Sequence, residues 1–439
     1  MRKTLCAFIA LLLFLSLGVL AGCNNVDLPG TVQDSFQSSQ LSKYAIIYAE
    51  DSPEYYDLAD KLSGRILETY GIAVPVKLDI VSNPTQYEIV LGDTNRTDAQ
   101  GSIMEYSVTV QDGKFFINVG GVFSAEAAIG YLCQNVFTGK ELTLTNGTYY
   151  KKSLLTRAYT VTPGTTARVM TANVLADAFG DSNYKKAYYR AEIFAGMLLA
   201  STPDVVGLQE TDENWNAVLD AYLVKLQKNH GITYSRVLAT YDGKTNYTSL
   251  LYRSDKYKVE DSGVKVFSWW TDKNFHHSFH MRNVSWVRFS SLENGSKPFI
   301  VANTHWSYRT EHADGTKYLY GSTKPIASDE LRVQCKNETD AFLSTLKQAN
   351  PQIPIFLTGD FNTSVTYFTQ SGWTPTSFSV ISEEAKRNGA ALSTVPTSGH
   401  FDHLFGTGSY TIKRYEFLKG INHLDLLTDH PFAYADLTF

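Results

Sequence analysis

From residue 168 onward the chain repeats one pattern, a short apolar run followed by a polar side chain, and this pattern constrains the fold most. Short apolar runs bounded by polar residues are typical of buried β-strands. They cover residues 168–172, 205–208, 248–252, 284–289, 299–302, 355–357 and 403–405. Helical stretches separate some of them, at residues 184–200, 215–228 and 329–348. Many strands with few helices between them predict two stacked β-sheets with the helices outside.

The polar side chains that follow these runs are carboxylates, carboxamides and imidazoles. They are Asn173, Glu210, His305, Asp360, Asn362, Asp402, Asp429 and His430. A single Asn or Asp at a strand end is usually a turn former, and a single histidine is usually a satisfied or surface residue. The set is different, because loops that a rigid scaffold positions often carry chemistry. We therefore expect these residues to meet in one metal-dependent hydrolytic site.

Five motifs connect this site to a known family. They are PDVVGLQE, THW, GDFN, FDHLF and TDHP, which occur in this order along the chain. Their order resembles that of the endonuclease/exonuclease/phosphatase superfamily, which has the deoxyribonuclease-I-like fold, over residues 168–439. The resemblance implies a four-layered α/β sandwich. It also implies hydrolysis of a phosphate ester by water, assisted by a divalent metal ion.

The resemblance further implies a metal site built from oxygen ligands. Glu210 would be the main carboxylate ligand of Mg²⁺, Asn173 would hold either the metal or a phosphate oxygen, and Asp429 would complete or support the site. Mg²⁺ is a hard cation that is usually held by one or two carboxylates plus substrate phosphate. Mn²⁺ and Ca²⁺ stay open as alternatives.

The remaining site residues would act on the water and the phosphate. Asp360 would orient or deprotonate the attacking water, and Asn362 would donate an amide hydrogen bond to a phosphoryl oxygen. His305 and His430 would flank the phosphate, where they would stabilise negative charge or protonate the leaving group. Asp402 would hold His430 in one tautomer.

Further positions are weaker candidates or departures from the family pattern. Arg282 matches a phosphate-proximal arginine of related members, and a solvated surface arginine explains it equally well. Asn246 stands where the deoxyribonucleases carry a carboxylate that orients the first catalytic histidine. Leu175 stands where abasic-site endonucleases have an aspartate ligand, which disfavours that repair role. Arg190 and Arg332 resemble helix positions that brace the scaffold.

Residues 43–158 form a smaller α/β accessory domain ahead of the catalytic domain, which is expected at 165–439. Its strands are expected at 44–48, 74–80, 87–91, 106–110 and 115–119, and its helices at 53–70 and 123–135. Asp112 and Gly113 mark a hairpin between the last two strands. The order is similar to that of the domain that precedes the catalytic barrel in some glycoside hydrolases. This implies a packing or spacing role, with glycan contact as the alternative, and a Thr/Pro/Gly-rich linker follows at 159–166.

The first 22 residues resemble a bacterial lipoprotein signal peptide. Arg2 and Lys3 precede an apolar run, and the sequence Leu-Ala-Gly-Cys ends at Cys23. Cleavage before Cys23 and attachment of lipid to its thiol would tether the chain outside the bacterial cell membrane. Residues 23–42 are rich in Ser, Gln, Asn and Asp, which predicts a flexible spacer.

The other cysteines of the mature chain give no disulfide framework. Cys133 and Cys335 are about 200 residues apart and fall in different predicted domains. Two lone buried thiols are therefore the favoured interpretation.

The charge balance separates the possible functions. Lys and Arg number 39 against 44 Asp and Glu, which gives a net charge of −5 that becomes −7 once Arg2 and Lys3 leave. Nucleases usually gather Lys and Arg for phosphate contacts, so a secreted nuclease that scavenges nucleic acid is the weaker alternative. A catalytically dead binding protein would need lost site residues, yet all are present. A lipid-anchored phosphoesterase with no evident obligate protein partner is favoured.

Overall fold

The computed structural model describes most of the chain from Ser35 to Phe439. The described residues are 35–49, 53–81, 83–96, 101–177, 185–241, 243–245, 247–268, 281–293, 297–307, 309–311, 317–319, 330–364, 378–392 and 400–439. The predicted signal peptide, Cys23 and Asn246 lie outside these ranges. None of the helices within the ranges combines the length and the apolar character that crossing a membrane requires.

The N-terminal domain is built, in its described part, on a six-stranded sheet and two α-helices. Its strands are β1 Ser35–Gln37, β2 Ala45–Tyr48, β3 Val76–Leu78, β4 Glu88–Leu91, β5 Glu105–Gln111, β6 Lys114–Val119, β7 Thr143–Thr145 and β8 Gly147–Ser153. Its helices are α1 Tyr56–Tyr70 and α2 Val122–Tyr131, the latter continued by a π-helical turn, Leu132–Val136. The sheet order is β3-β2-β4-β6-β5-β8, and β1 pairs separately with β7.

Local sequence explains the ends of these elements. Asp112 and Gly113 both have positive φ and close the β5–β6 hairpin, as predicted. Gly71 has a left-handed backbone (φ 68°), and its N–H donates to the carbonyl oxygen of Leu67 at the end of α1. A side chain would be strained there, so glycine fits this C-terminal cap. Helix α1 starts later than predicted because a 3-10 turn, Pro53–Tyr55, precedes it.

The flexible spacer predicted at residues 23–42 is wrong for its described part, from residue 35. Phe36 on β1 is fully buried, and its ring lies 4.9 Å from that of Phe115. A 3-10 turn, Ser38–Lys43, follows directly. The burial of one large aromatic side chain fixes this polar-looking segment to the domain.

The C-terminal domain contains, within the described ranges, a seven-stranded and a six-stranded sheet. In spatial order the first is β11 Tyr234–Val237, β14 Leu250–Arg253, β10 Val205–Gln209, β9 Ala167–Asn173, β25 Phe432–Thr438, β24 Thr411–Leu418 and β22 Ala391–Leu392. The second is β15 Tyr257–Val266, β16 Asn283–Ser291, β17 Phe299–His305, β20 Ile355–Asp360, β23 Asp402–Thr407 and β21 Ser379–Val380. Small hairpins pair β12 Thr240–Tyr241 with β13 Lys244–Thr245 and β18 Arg309–Glu311 with β19 Lys317–Leu319. The helices are α3 Ala187–Ser201, α4 Glu213–His230, α5 Glu330–Ala349, α6 Ile381–Arg387 and α7 Leu424–Leu427.

The two large sheets stack face to face between helices. Val169 of β9 shares a buried cluster with Phe299 of β17, which places apolar packing between the sheets. Met170 points the opposite way and packs with Ile193 of α3, because successive strand side chains alternate between faces. Leu343 of α5 packs in a third cluster on the outer face of the second sheet. The order of helices, sheet, sheet and helix confirms the four-layered α/β sandwich.

Strand β25, which pairs with both β9 and β24, was not predicted from the sequence. Its apolar run is interrupted by Asp436, which is fully buried and forms a 2.6 Å ion pair with Arg168 of β9. A buried charge is tolerated only when a partner compensates it, and that partner is distant in sequence. Apolar pattern alone therefore cannot indicate this strand.

The two domains pack as one unit. A single buried apolar cluster extends from Phe36 in the N-terminal domain to Trp215 on α4. The segment predicted as a linker, residues 159–166, is also fixed, because both the N–H and the hydroxyl of Thr162 donate to Asp436. Cys335 is buried and Cys133 is half-buried, each in its own domain.

Candidate active site at one edge of the sandwich

The predicted polar residues meet at one edge of the sandwich, because parallel strands end there. In the first sheet β9 and β10 run parallel, with Asn173 opposite Gln209, and Glu210 follows directly. In the second sheet β17 and β20 run parallel, with His305 opposite Asp360. Contacts between the two pairs, described below, show that both sheets end at this edge.

Asp402 and His430 reach the same edge from the opposite direction. The sequence prediction placed them after apolar runs, but Asp402 opens β23 and His430 lies just before β25. Strand β23 is antiparallel to β20, and its register sets Asp402 opposite Asp360. An antiparallel strand starts where its neighbour ends, so the starts of β23 and β25 join the ends of the parallel strands.

Asn173 joins the two sheets at the centre of the site. Its Nδ2 donates to Glu210 Oε1 and to Asp360 Oδ2, each at 3.0 Å. Its Oδ1 accepts from the N–H of Leu175 at 3.0 Å. The prediction that Asn173 holds either the metal or a phosphate oxygen stays a prediction; in this structure its amide nitrogen faces the two carboxylates. This orientation of the Asn173 amide gives both its nitrogen and its oxygen a hydrogen-bond partner.

His305 completes a compact group of possible ligands. Its Nε2 lies 3.3 Å from Asp360 Oδ2 and 4.0 Å from Glu210 Oε1. The three ligand atoms all lie within 4.8 Å of one another. Burial lowers the pKa of His305, and the nearby Arg282 lowers it further. His305 is therefore neutral at pH 7 and can accept a proton or bind a metal.

Both carboxylates of the group stay ionised, although Asp360 is buried and Glu210 is half-buried. Burial alone would raise the pKa of Glu210, but His305 and the N–H of Ala176 outweigh it, so that pKa is lowered. Burial would also raise the pKa of Asp360, but His430 and His305 hold it below its usual range. Two ionised carboxylates side by side in a low-dielectric edge favour a bound cation.

His430 forms a hydrogen-bonded pair with Asp402. Its Nδ1 lies 2.8 Å from Asp402 Oδ2, and its Nε2 lies 3.8 Å from Asp360 Oδ2. Burial alone would lower the pKa of His430, but the carboxylates of Asp402 and Asp360 hold it well above the usual value. The ring therefore carries a proton at neutral pH, and Asp402 fixes which nitrogen faces the site.

Asn362 is held in place by its neighbours. Its N–H donates to Asp360 Oδ1 at 2.8 Å, and its Nδ2 donates to the carbonyl oxygen of Trp306 at 3.0 Å. Arg332 donates to its carbonyl oxygen at 2.7 Å, which is the bracing contact expected of that arginine. The Asn362 backbone is left-handed (φ 49°), a conformation that Asn tolerates better than most residues.

Arg282 lies beside the site rather than in bulk solvent. Its Nη1 donates to the carbonyl oxygen of His305 at 3.4 Å, and burial lowers its pKa against the opposing charges of Glu210 and Asp360. A guanidinium remains charged under these conditions. It supplies positive charge next to the two carboxylates.

Asp429 is not one of the three residues whose possible ligand atoms lie close together. Its side chain is 56% exposed, and its Oδ1 lies 3.9 Å from His430 Nε2. The turn before β25 directs it towards solvent, at the outer rim of the site. Asn246, the other weak candidate, lies outside the described residues.

Sequence analysis missed a buried polar seam that lies between the sheets just below the site. The seam consists of Thr171, Gln209, Asn303 and Thr358. Gln209 Nε2 donates to Asn303 Oδ1 at 2.6 Å, and Thr358 Oγ1 donates to the same oxygen at 3.0 Å. The signal was present, because each residue stands near the end of an apolar run and close to a predicted site residue.

Oxygen ligands dominate the group, so its residues fit a hard divalent cation. Glu210 and Asp360 offer ionised carboxylates, and His305 offers a neutral imidazole nitrogen. Mg²⁺ prefers carboxylate oxygen and retains water or substrate ligands for the rest. The residues that could hold a cation are Glu210, His305 and Asp360. Of the predicted ligands, Glu210 is one of these three, and the metal-binding roles of Asn173 and Asp429 stay predictions.

Comparison with known proteins gives one family and no curated relative. The model of the endonuclease/exonuclease/phosphatase family matches residues 170–430, which contain every site residue described above. No curated protein sequence matches the chain.

Solved structures also match part of the chain. An endonuclease/exonuclease/phosphatase from Bacteroides vulgatus is 23% identical over 62% of this chain and 98% of its own, with a TM-score of 0.46. A mannosyl-6-phosphatase from Bacteroides thetaiotaomicron is 18% identical over 62% of this chain and 100% of its own, with a TM-score of 0.45. The human Nocturnin catalytic domain is 16% identical over 62% of this chain and 94% of its own, with a TM-score of 0.44.

Proposed function

This chain belongs to the endonuclease/exonuclease/phosphatase family, and from that premise we propose that it is a divalent-metal-dependent phosphoesterase. One observation carries the proposal: ligand atoms of Glu210, His305 and Asp360 lie within 4.8 Å of one another. The His430–Asp402 pair faces the same group. Ionised carboxylates, a neutral imidazole and a protonated imidazole at one edge are the groups that metal-assisted hydrolysis needs.

Mg²⁺ is the cation that we propose, with Glu210 and Asp360 as its carboxylate ligands. Both carboxylates are ionised at neutral pH because neighbouring imidazoles lower their pKa values. When bound, the cation polarises a phosphoryl oxygen and offsets the charge that develops there.

The side chains of the chain supply the remaining chemistry. Asp360 is an ionised hydrogen-bond acceptor that orients the attacking water, and the neutral imidazole of His305 beside it accepts the proton that this water releases. His430 carries a proton that it donates to the leaving-group oxygen, while Asp402 holds its Nδ1. N–H groups of Arg282 and Asn362 donate hydrogen bonds to the phosphoryl oxygens. Hydrogen bonds to a charged phosphate oxygen are stronger than those between neutral groups.

We also propose that the enzyme works outside the cell membrane, tethered by a lipid on Cys23. The Leu-Ala-Gly-Cys sequence after the apolar N-terminal run supports this location. An extracytoplasmic enzyme meets phosphate esters of nucleic acids, phospholipids and sugars. The acidic mature chain favours esters other than long nucleic acids.

Hydrolysis assays on the mature chain test the proposal. With Mg²⁺ we expect turnover of bis-(p-nitrophenyl) phosphate, loss of that turnover in EDTA, and recovery when Mg²⁺, Mn²⁺ or Ca²⁺ is added back. His305→Ala should lower kcat/KM by more than about 100-fold, because it removes a group in contact with both carboxylates. DNA, RNA, inositol phosphates, phospholipids and sugar phosphates belong in the same panel.

Lys258→Ala is the matched control. Lys258 forms an exposed ion pair with Glu260 at 2.8 Å on β15, and surface pairs of this kind contribute little. Its activity should equal that of the parent. Turnover that persists in EDTA, or in His305→Ala at the control's rate, would contradict the proposed mechanism.

A further inference from the structure

We propose that the N-terminal domain positions the catalytic loops, and that Glu192 of α3 is the residue through which it does so. Glu192 is a positioning residue in this proposal and does not touch the substrate. The activity readout of the test rests on the proposed function, whereas the structural readout does not.

Glu192 belongs to the C-terminal domain but binds the backbone of the N-terminal domain. Its Oε1 accepts from the N–H of Met104 and its Oε2 accepts from the N–H of Ser124, each at 3.0 Å. Ser124 lies in the first turn of α2, where N–H groups lack partners within the helix. Because Glu192 is fully buried, these two bonds fix α2 against α3 in one orientation.

Arg190, two residues earlier on α3, connects this helix to the loops that hold the site residues. It is fully buried, and its guanidinium donates to five backbone carbonyl oxygens. They belong to Val174 at 2.7 Å, Leu175 at 2.8 Å, Ala176 at 3.4 Å, Lys185 at 2.6 Å and Leu427 at 2.9 Å. One side chain therefore ties the loop after β9 to the end of α7.

Both loops hold site residues. In the first loop the N–H of Ala176 donates to Glu210 Oε2 at 3.0 Å. After α7, the hydroxyl of Thr428 donates to the carbonyl oxygen of Asn173 at 2.9 Å and accepts from the N–H of His430 at 3.2 Å. A shift of α3 would therefore displace a carboxylate and an imidazole of the site together.

A second contact reaches the His430 loop from the N-terminal domain. The ring of Phe123 on α2 lies 4.9 Å from the ring of His423, which directly precedes α7. Next to it, Asn422 Oδ1 accepts from the N–H groups of Thr156 and Arg157, at 2.7 and 2.9 Å. The N-terminal domain is therefore connected to these loops in two ways. One connection passes through α3, and the other is a direct contact with the segment before α7.

Two variants perturb this connection from opposite sides, and a third serves as control. Glu192→Gln keeps the size of the side chain but replaces one acceptor oxygen with an NH₂ group. This group would face a backbone N–H, and two donors cannot form a hydrogen bond. Gly121→Ala leaves the C-terminal domain unchanged, yet its Cβ would lie 2.1 Å from Tyr222 Oη and 2.6 Å from Glu192 Oε2. Asn229→Ala removes another interdomain hydrogen bond, to the carbonyl oxygen of Gly101 at 3.3 Å, which starts from the far end of α4.

Hydrogen–deuterium exchange and kinetics on the full chain give the two readouts. For Glu192→Gln and Gly121→Ala we expect amide exchange in residues 173–177 and 424–431 to become about tenfold faster. We expect kcat on bis-(p-nitrophenyl) phosphate to fall about tenfold, with KM within about twofold, because small misplacements of catalytic groups lower turnover. Asn229→Ala should leave both loops and kcat within about twofold of the parent.

Each outcome decides the proposal. It is overturned if exchange rises only in residues 101–106 and 120–126 while the two loops keep the parent rates. It is equally overturned if Asn229→Ala has the effects of Glu192→Gln, because any loosening of the interface would then suffice. If Glu192→Gln fails to fold, Gly121→Ala decides; and if no phosphate ester is hydrolysed, exchange still tests the positioning while the proposed function fails alone.

Discussion

His305 and His430 both approach Asp360 Oδ2, at 3.3 and 3.8 Å, yet their pKa values shift in opposite directions. Burial and Arg282 lower the pKa of His305. Burial opposes the rise at His430, but Asp402 and Asp360 outweigh it. At neutral pH one ring is thus an acceptor and the other a donor, and different environments give two like residues different roles.

Two further histidines, His400 and His403, affect stability rather than the reaction. They are 5% and 1% exposed, and their ring centroids lie 4.8 Å apart. Burial lowers the pKa of His400 to about 4, with Lys386 adding to the effect. Burial and His400 lower the pKa of His403 to about 3.

These shifts make the fold sensitive to acid. Because the folded-state pKa values lie below the ordinary value of about 6.5, the unfolded chain binds protons first as the pH falls. The stability is fully present above about pH 6.5 and is lost as the pH falls towards 4. At pH 5 each imidazole costs about 2 kcal/mol of the free energy of unfolding.

His400→Leu tests this account. Both ring nitrogens of His400 lack a hydrogen-bond partner among the described residues, so an apolar replacement loses no polar contact. We expect the free energy of unfolding in urea to match the parent at pH 7.5 and to exceed it by about 2 kcal/mol at pH 5. If parent and variant lose the same free energy of unfolding from pH 7.5 to pH 5, the account is wrong. His400 would then not gain a proton when the protein unfolds.

At the scale of single residues, sequence could indicate positions but not orientations. Glu210, His305 and Asp360 stand out because ionisable side chains follow apolar runs. The orientation of the Asn173 amide depends on the N–H of Leu175, which donates to its oxygen and leaves the nitrogen facing the carboxylates. The order of residues along the chain does not indicate this contact. Glu192 is hidden for the same reason, since its partners lie in the other domain.

At the scale of elements, the approach of the two sheets depends on one glycine. Gly207 lies in the middle of β10, opposite the polar seam of the second sheet. A Cβ at this position would lie 1.9 Å from Thr358 Oγ1 and 2.7 Å from Asn303 Oδ1. The seam therefore sets the distance between the sheets directly below the site.

Gly207→Ala should destabilise the protein by at least about 2 kcal/mol, because overpacking forces the sheets apart and disrupts buried hydrogen bonds. Urea unfolding at pH 7.5 measures this loss. Gly64→Ala is the matched control, since Gly64 is exposed within α1 and a Cβ there meets nothing within 4 Å. That variant should gain about 0.5–1 kcal/mol from helix propensity. Equal stability of Gly207→Ala and parent would show that the sheets can part without cost.

The elements themselves were predictable where apolar runs are continuous, as in β9, β10, β17 and β20. β25 was not, because Asp436 interrupts it and Arg168 compensates that charge across the sheet. The direction of β23 could not be predicted either, because an apolar run does not indicate whether its strand is parallel or antiparallel to its neighbour. The site could therefore be predicted as a set, but not the strand ends that carry Asp402 and His430.

At the scale of the whole molecule, the site belongs to a unit of two packed domains. The contacts of Glu192 and Arg190 on α3 connect the N-terminal domain to the edge that carries the site. Between Cys23 and the first described strand at Ser35 lie 11 residues. Fully extended, this length of chain reaches about 40 Å, so a lipid on Cys23 would keep Ser35 within about 40 Å of the membrane surface.

Attachment to that surface should depend on Cys23 alone. The mature net charge of −7 gives no attraction to anionic lipid headgroups. Without such a second signal, acyl chains must supply the membrane affinity, at about 0.8 kcal/mol for each buried CH₂. Cys23→Ser should therefore abolish incorporation of labelled palmitate and move the protein from the membrane fraction to the soluble fraction. Cys133→Ser, which alters a half-buried thiol of the folded domain, should keep both label and membrane association. Palmitate labelling that survives in Cys23→Ser, or is absent from the parent, would place the attachment elsewhere and remove the reason for locating the enzyme at this membrane.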